Sequence, residues 1–435
     1  MDREIKDSGI EWIGNVPKEW RIVPNKHVMQ KKKLICDKYN NENVLSLTMN
    51  GVIIRDLQNP TGKMPATFDG YQFVSKGNLL MCLFDIDVTP RCVGLINDNG
   101  ITSPAYSQFV MKDNIDANYY YYYYLNLDFS KELLHLSKNM RNSLTESQLG
   151  EMKVPLPPLH EQQAIANYLD KKVGKIDELI AEQKTAIEKW KSYKQSLIAE
   201  TVTKGLNPNV EMKDSEIEWI GEIPTDWECK KLKRTLISRK EAVRVGPFGS
   251  QLKGNDFRDS GHPVYNQKVV LTDEFNKFES FISDEKFKEL ECFSVKAGDV
   301  LVTTRGSIGK VAIVPEEFIP GVIHPCIIKL QFDEKKIYVD YIRYIFNNTI
   351  VATEQLKKMS SSTIIDVVYS EPLKNIYLPI PNVETQLKII NFLDEKCLKI
   401  EQIIEQKQAL IKQLEEYKQS LIYECVTGKR CVKER

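Results

Sequence analysis

Apolar residues recur along two long stretches of the chain with the alternating four-three spacing of a heptad seam. The first set is Ile165, Leu169, Lys172, Ile176, Leu179, Gln183, Ala186, Trp190, Tyr193 and Leu197. The second is Ile389, Leu393, Lys396, Ile400, Ile403, Lys407, Leu410, Leu414, Tyr417 and Leu421. Such a narrow stripe predicts long helices that pair along one seam. Each runs from near Leu159 or Val383 to near Val202 or Val426, about 44 residues and roughly 65 Å at the helical rise. The proline-rich stretches VPLPPL and LPIPN stop the preceding structure and open each helix, while Gly205 with Pro208, and Gly428, mark the exits. An antiparallel intramolecular coiled coil is the expected arrangement.

The remaining chain alternates short apolar runs with polar turns. NVLSLTM, KGNLLMCLF and SQFVMK read as strands of a first globule, about Arg21 to Glu151. AGDVLVTTRGSIGKVAIV and GVIHPCIIKLQF read as strands of a second, about Glu228 to Asn375. Each globule closes on a helical stretch, one holding the tyrosine run Tyr119 to Tyr124 and the other YIRYIFNN from Tyr341. Six successive tyrosines on a helix face every direction, so most must pack, and a core role is favoured over base stacking. The fold class is α+β: two mixed α/β globules joined by two long helices. The boundaries are 1–153, 154–205, 206–376 and 377–435.

The chain also repeats. KDSGIEWIGNVPKEW from Lys6 returns as KDSEIEWIGEIPTDW from Lys213, so that Trp12, Gly14, Pro17 and Trp20 recur as Trp219, Gly221, Pro224 and Trp227. VPLPPLHEQQAIANYLDKKVGKIDELI from Val154 recurs as YLPIPNVETQLKIINFLDEKCLKIEQII from Tyr377, and YKQSLI stands at both Tyr193 and Tyr417. The offset grows from 207 to 224 residues, which places about 17 additional residues in the second globule. Between these matched ends the halves barely resemble each other. One frame carrying two different inserts implies one scaffold with two specificities.

Composition narrows the chemistry. The 435 residues hold 60 Lys+Arg against 60 Asp+Glu, so any attraction to phosphate must come from local patches. Within each globule the basic excess is only about two or three. The nine cysteines, at 36, 82, 92, 229, 292, 326, 397, 425 and 431, form no C-x-x-C pair, which points to reduced thiols and no zinc site. No apolar run approaches the roughly 18 residues of a membrane span, and a cytoplasmic protein without a membrane partner is expected. GSIGK lacks the upstream glycine of a phosphate loop, and Val311 stands where a magnesium-binding Ser or Thr belongs. There is no G-x-S-x-G elbow, H-E-x-x-H helix, dinucleotide fingerprint or amino-methyltransferase motif, and the five histidines, His27, His135, His160, His262 and His324, are scattered. Recognition is favoured over catalysis, and no cofactor is expected on this chain.

Loops combining glycine, small polar residues and cations are the candidate recognition elements. Glycine lets backbone approach a groove, while Arg, Asn, Gln and Ser can bond base edges and phosphates. In the first globule the candidates are Lys32 in the run Lys31–Lys33, Arg91 in FDIDVTPR, and Arg141, Asn142 and Ser143 in KNMRNSLT. In the second they are Arg244 at the end of CKKLKRTLISRKEAVR, then Ser250, Gln251 and Lys253 in VGPFGSQLKG. TTRGSIGK adds Arg305, Ser307 and Lys310, and KKMSSST adds Ser361. The preferred base readers are Arg91, Arg141, Asn142, Gln251, Arg305 and Ser307.

With the frame SGIEWIGNVPKEW, the stretch PLPPLHEQQAIANYLD and the helix end YKQSLI in place, the chain resembles the specificity subunit of type I restriction-modification systems over essentially its whole length. GPFGSQLKG, AGDVLVTTRGSIGK and GVIHP also look like a target-recognition domain of that family. FDIDVTPRCVG replaces the TTRGSIGKV stretch in the first globule, and Thr385 stands where the first half has Glu161. The resemblance implies that each globule reads one half of an interrupted, asymmetric duplex site, with the paired helices separating the halves by about one turn, roughly 34 Å. It further implies two modification subunits that carry S-adenosylmethionine and methylate adenine, and motor-nuclease subunits using ATP and magnesium that can join them. Two other readings fit the same residues: a specificity subunit of a type II-like methyltransferase-nuclease, and a coiled-coil adaptor that binds no DNA. Steep salt dependence of sequence-preferring binding separates the adaptor from the others.

Overall fold

The computed structural model describes residues 3–60, 62, 64–136, 142–359 and 367–432. The chain forms two compact units, Met1–Lys184 with Lys407–Arg435, and Thr185–Gln406. The long helices Leu159–Lys204 and Val383–Val426 therefore each contribute one half to each unit. Both end where the sequence placed their exits: Gly205 and Gly428 take positive φ of 78° and 73°, the left-handed backbone that glycine adopts without a Cβ penalty. Among the described residues no helix is long and apolar enough to cross a membrane.

In the first unit the N-terminal hairpin, Ile5–Asp7 with Asn15–Pro17, leads to strand Arg21–Pro24, which pairs antiparallel with Lys153–Leu156. These two strands close the globule at its root. Above them an antiparallel sheet runs in the order Val93–Leu95, Leu79–Met81, Ser107–Met111, Met29–Lys32. A three-stranded sheet, Gly100–Thr102, Tyr71–Val74 and Ile35–Cys36, and the hairpin Leu45–Thr48/Gly51–Ile54 complete it.

The second unit repeats this plan. Glu228–Lys231 pairs with Tyr377–Ile380 in the same register, Glu228 opposite Ile380 as Arg21 is opposite Leu156. Its four-stranded sheet runs Val311–Ile313, Val300–Thr303, Ile327–Leu330, Val243–Val245, the same antiparallel order. The two globules thus share a sheet that their sequences do not announce. Strand pairing asks only for alternating apolar residues of suitable bulk, and many sequences satisfy that.

The tyrosine run lies in the helix Ala117–Phe129, and five of its six side chains are buried. Three of their hydroxyls bond the frame, whereas that of Tyr123 is buried without a hydrogen-bond partner among the described residues. Tyr119 donates to the Val426 carbonyl (2.9 Å), Tyr120 to Pro155 (2.8 Å) and Tyr122 to Asp170 (2.8 Å). In the second unit the helix Val339–Asn348 does the same, Tyr341 donating to Val202 (2.9 Å) and Pro379 (3.1 Å), and Tyr344 to Asp394 (2.5 Å). One fully buried glutamine cross-links each root. Gln162 donates to Pro157 and accepts from the Asp116 amide, both at 2.8 Å. Gln386 donates to Pro381 (2.9 Å) and Lys336 (3.0 Å) and accepts from the Tyr338 amide (2.9 Å). One interaction is not repeated: Glu161 accepts from the Trp20 indole (2.8 Å) and from Arg3 (2.5 and 2.8 Å), and Thr385 replaces it in the second unit.

The seam is real, but its phase differs from the expected one at every second position. Ile165, Leu169 and Ile176 are buried, with Trp190 and Leu197 half-buried, as are Ile389, Leu393, Ile400 and Leu421, with Ile403 and Leu414 half-buried. Leu179, however, is 44% exposed, and Val173, Ile180 and Ile187 take the places expected for Lys172, Leu179 and Ala186. The second helix shows the same shift, with Cys397 and Ile411 inside and Lys396 and Leu410 outside. Adjacent apolar residues make two heptad phases nearly equal in sequence, and the one that buries β-branched Val173, Ile180 and Ile187 prevails. Polar contacts fix the alignment: Lys418 bonds Asp177 (2.6 Å) within the first unit, and the repeat-equivalent Lys194 bonds Glu401 within the second. Ile180→Ala should lower stability by about 3 kcal/mol, against a change within about 0.5 kcal/mol for Leu179→Ala, as read by denaturant unfolding.

Candidate nucleic-acid interface

In the second unit two loops meet at the turn His324–Cys326. The loop joining Val300–Thr303 to Val311–Ile313 is tied to it by Thr304, whose amide (3.1 Å) and hydroxyl (2.9 Å) both donate to the Cys326 carbonyl. The loop after Val243–Val245 is tied to it by Gly246, whose amide donates to Ile327 (2.9 Å). Only glycine fits there, because a Cβ would stand 2.1 Å from the His324 carbonyl oxygen. Burial, with the nearby Arg305 charge, lowers the His324 pKa below the usual imidazole value, so this ring stays neutral beside the cation.

Arg305, Ser307, Ser250, Gln251 and Lys253 are all exposed on these loops. Thr303 shapes the Arg305 loop by donating to the Ser307 carbonyl and accepting from the Lys310 amide (3.0 Å). Gln251 accepts from the Phe248 amide (3.0 Å) through its side-chain oxygen, leaving its NH2 group directed away from that bond. Gln267, which sequence reasoning passed over, belongs here as well, since its amide nitrogen lies 3.5 Å from where a Gly306 Cβ would be.

Two candidates of this unit have other duties. The Lys310 ammonium donates to the Asn347 carbonyl (2.8 Å) at the end of the helix Val339–Asn348, where a cation complements the helix dipole. Arg244 is half-buried, its guanidinium 5.8 Å from the Phe293 ring centroid and its Nε enclosed without a hydrogen-bond partner. Both support the fold of this edge more than its surface.

In the first unit the loop between Leu79–Met81 and Val93–Leu95 occupies the position that the Arg305 loop holds in the second. Asn142 is beside it, its carbonyl accepting from the Ile86 amide (3.2 Å) while the Leu144 amide donates to Leu83 (2.8 Å). Ser143 is half-buried in the same segment. Arg91 is not presented as expected. Its guanidinium lies 3.8 Å from the Asp128 carboxylate and 5.6 Å from the Phe129 ring centroid, with 11% of the side chain exposed. Asp128 also accepts from the Cys92 amide and from Lys131, both at 2.8 Å, so this buried carboxylate roots the C-terminal end of the loop. Its sequence separation from Arg91 hid that pairing. Lys32 is exposed on the edge strand Met29–Lys32, 3.4 Å from the Ser75 hydroxyl. Arg141 and Ser361 lie outside the described residues.

Among the described residues no cluster of His, Cys, Asp or Glu could hold a metal ion. The edges instead present amides, hydroxyls and one forked cation on loops held from behind, a set that bonds to base edges and phosphates.

The sequence profile of the type I restriction modification DNA specificity domain matches residues 93–189 and 245–415, well over half of the chain. The chain belongs to that family. The matched stretches of this specificity-domain chain take in the Arg305 loop of the second unit and begin just after the loop rooted by Asp128 in the first. Among curated relatives, the MjaVIII specificity subunit of Methanocaldococcus jannaschii is 29% identical over 240 residues, 54% of this chain and 53% of the relative. The EcoBI specificity subunit of Escherichia coli is 25% identical over 264 residues, 58% of this chain and 53% of the relative. The alignments thus span about half the length of these relatives. Among solved structures, a chain from a study of complex assembly and conformational transition of the type I R-M system gives a TM-score of 0.72 at 15% identity, covering 95% of this chain and 99% of that one. The HsdS subunit from Thermoanaerobacter tengcongensis gives 0.54 at 15% identity, covering 95% and 98%. Both establish the fold.

Proposed function

We propose that this chain is the DNA-sequence specificity subunit of a type I restriction-modification complex, reading one half of a bipartite, asymmetric duplex site with each globule. The observation that carries the reading is the repeated frame: the same buried tyrosine and glutamine contacts support two recognition edges whose loops differ in length, sequence and anchoring. A repeated frame offers two equivalent attachment sites, and two methyltransferase subunits would occupy them, supplying S-adenosylmethionine for adenine methylation. Motor-nuclease subunits with ATP and magnesium would join the same assembly. The chain's own contribution is binding and positioning. The long helices would set the unspecified gap between the half-sites. The work takes place away from membranes.

Arg305 tests the reading at one residue. A guanidinium bonded to a base edge contributes about tenfold or more in discrimination against the wrong base. In the complex with its methyltransferase subunits, Arg305→Ala should relax or weaken readout of the second half-site by about that factor and leave the first half-site unaffected. Competition binding against duplexes altered at single positions measures this. Unchanged binding at every position would remove Arg305 from the interface.

A further inference from the structure

Among the described residues, the most exposed large apolar side chain of each unit stands on its candidate edge: Val88 in the first and Phe248 in the second, each 72% exposed. Phe248 sits at the tip of a loop fixed from both sides. Upstream, Pro247 restricts the backbone and Gly246 is wedged against the His324 carbonyl. Downstream, the Gln251 amide donates to the Phe248 carbonyl (2.8 Å), the Gln251 side chain accepts from the Phe248 amide (3.0 Å), and Leu252 is buried. The phenyl ring is thus held out in solvent by a rigid support. Its loop neighbours are polar and cationic, Ser250, Gln251 and Lys253, with Arg305 on the adjoining loop. One aromatic ring in a hydrophilic, positively charged setting is a poor match for an apolar protein interface and a good match for nucleic acid.

We propose that Phe248 is a wedge that enters a base step of the second half-site and stacks on an unstacked base, a role that rests on the DNA-reading function above. An aromatic face accepts any base, so the wedge would add affinity and distortion without adding sequence preference; preference stays with Gln251, Gln267 and Arg305. The chemistry of the partner enzyme gives the distortion a use. A methyltransferase must take its adenine out of the stack, and a ring already filling the neighbouring step lowers the cost of that extrusion. Holding the ring outward in the free protein also means that little side-chain freedom is lost when DNA arrives.

The test uses the full chain assembled with its methyltransferase subunits and duplexes carrying the methylated motif, with 2-aminopurine placed in turn at each second-half position except the target adenine. Wild-type complex should raise 2-aminopurine fluorescence severalfold at one step. Phe248→Ala should abolish that rise and lower affinity about tenfold, while Phe248→Trp keeps both. If Phe248→Ala binds and fluoresces like wild type, the wedge is wrong and the specificity reading stands. If the wild-type complex shows no preference for the motif over scrambled duplex, both fall together. Loss of methyltransferase assembly by Phe248→Ala in the absence of DNA would place the ring in a protein contact and overturn the wedge. The ring is exposed, so neither variant removes a packed side chain, and circular dichroism checks the fold.

Discussion

Replacing residues 232–375 with the corresponding segment of another family member should rewrite one half of the recognised motif and leave the other half and the gap unchanged. The cut sites follow from the frame. Glu228–Lys231 pairs with Tyr377–Ile380, so beginning the exchange at Glu228 would break a strand pair, whereas beginning at Leu232 keeps it. The graft must still meet Gln386, which accepts from the Tyr338 amide, and the carbonyls of Val202 and Pro379, which Tyr341 supplies with a hydroxyl. A donor segment with tyrosine at that helix position should therefore fold on this frame. The effect is all-or-none for one half-site, and mapping methylated positions in cells carrying the chimera reads it. A change in both halves, or in neither, would show that the units do not read independently.

Asp128→Ala should destabilise the first unit by about 3 kcal/mol and loosen recognition of the first half-site in particular. The carboxylate is only 2% exposed and serves the Cys92 amide, Lys131 and Arg91 together. Removing it leaves the Cys92 amide without a partner and the largely enclosed Arg91 without its counter-charge, which costs more than the pairing itself contributes. Asp128→Asn, which preserves shape and loses charge, should fall between. Thermal unfolding, together with binding to duplexes altered in one half at a time, measures both effects. Wild-type stability in Asp128→Ala would mean that the loop is rooted by its backbone alone.

The long helices were legible because a heptad pattern persisted through both and prolines marked both starts. Their phase was not, since Leu179 stands next to Ile180, and Ala186 next to Ile187, and the choice depends on what the opposite helix presents. The frame was legible through its repetition, yet Gln162 and Gln386 passed unnoticed because a glutamine in an amphipathic helix reads as surface. Their only signal was recurrence at equivalent positions. The candidate loops were picked from composition, but which of their side chains are presented and which are tied down was not legible. Arg91 and Lys310 resemble free cations in sequence, and it is Asp128 and the end of the helix Val339–Asn348, both distant along the chain, that claim them. Phe248 was not among the candidates, because exposure of a hydrophobic ring is visible only after folding.

Sequencing of methylated bases in the host genome, with and without this gene, tests the central claim most directly. Two different specified half-sites separated by a fixed unspecified gap, with adenine methylation that disappears when the gene is deleted, is the predicted result. Methylation unchanged by the deletion, or dependent on the gene but confined to one continuous motif, would contradict it.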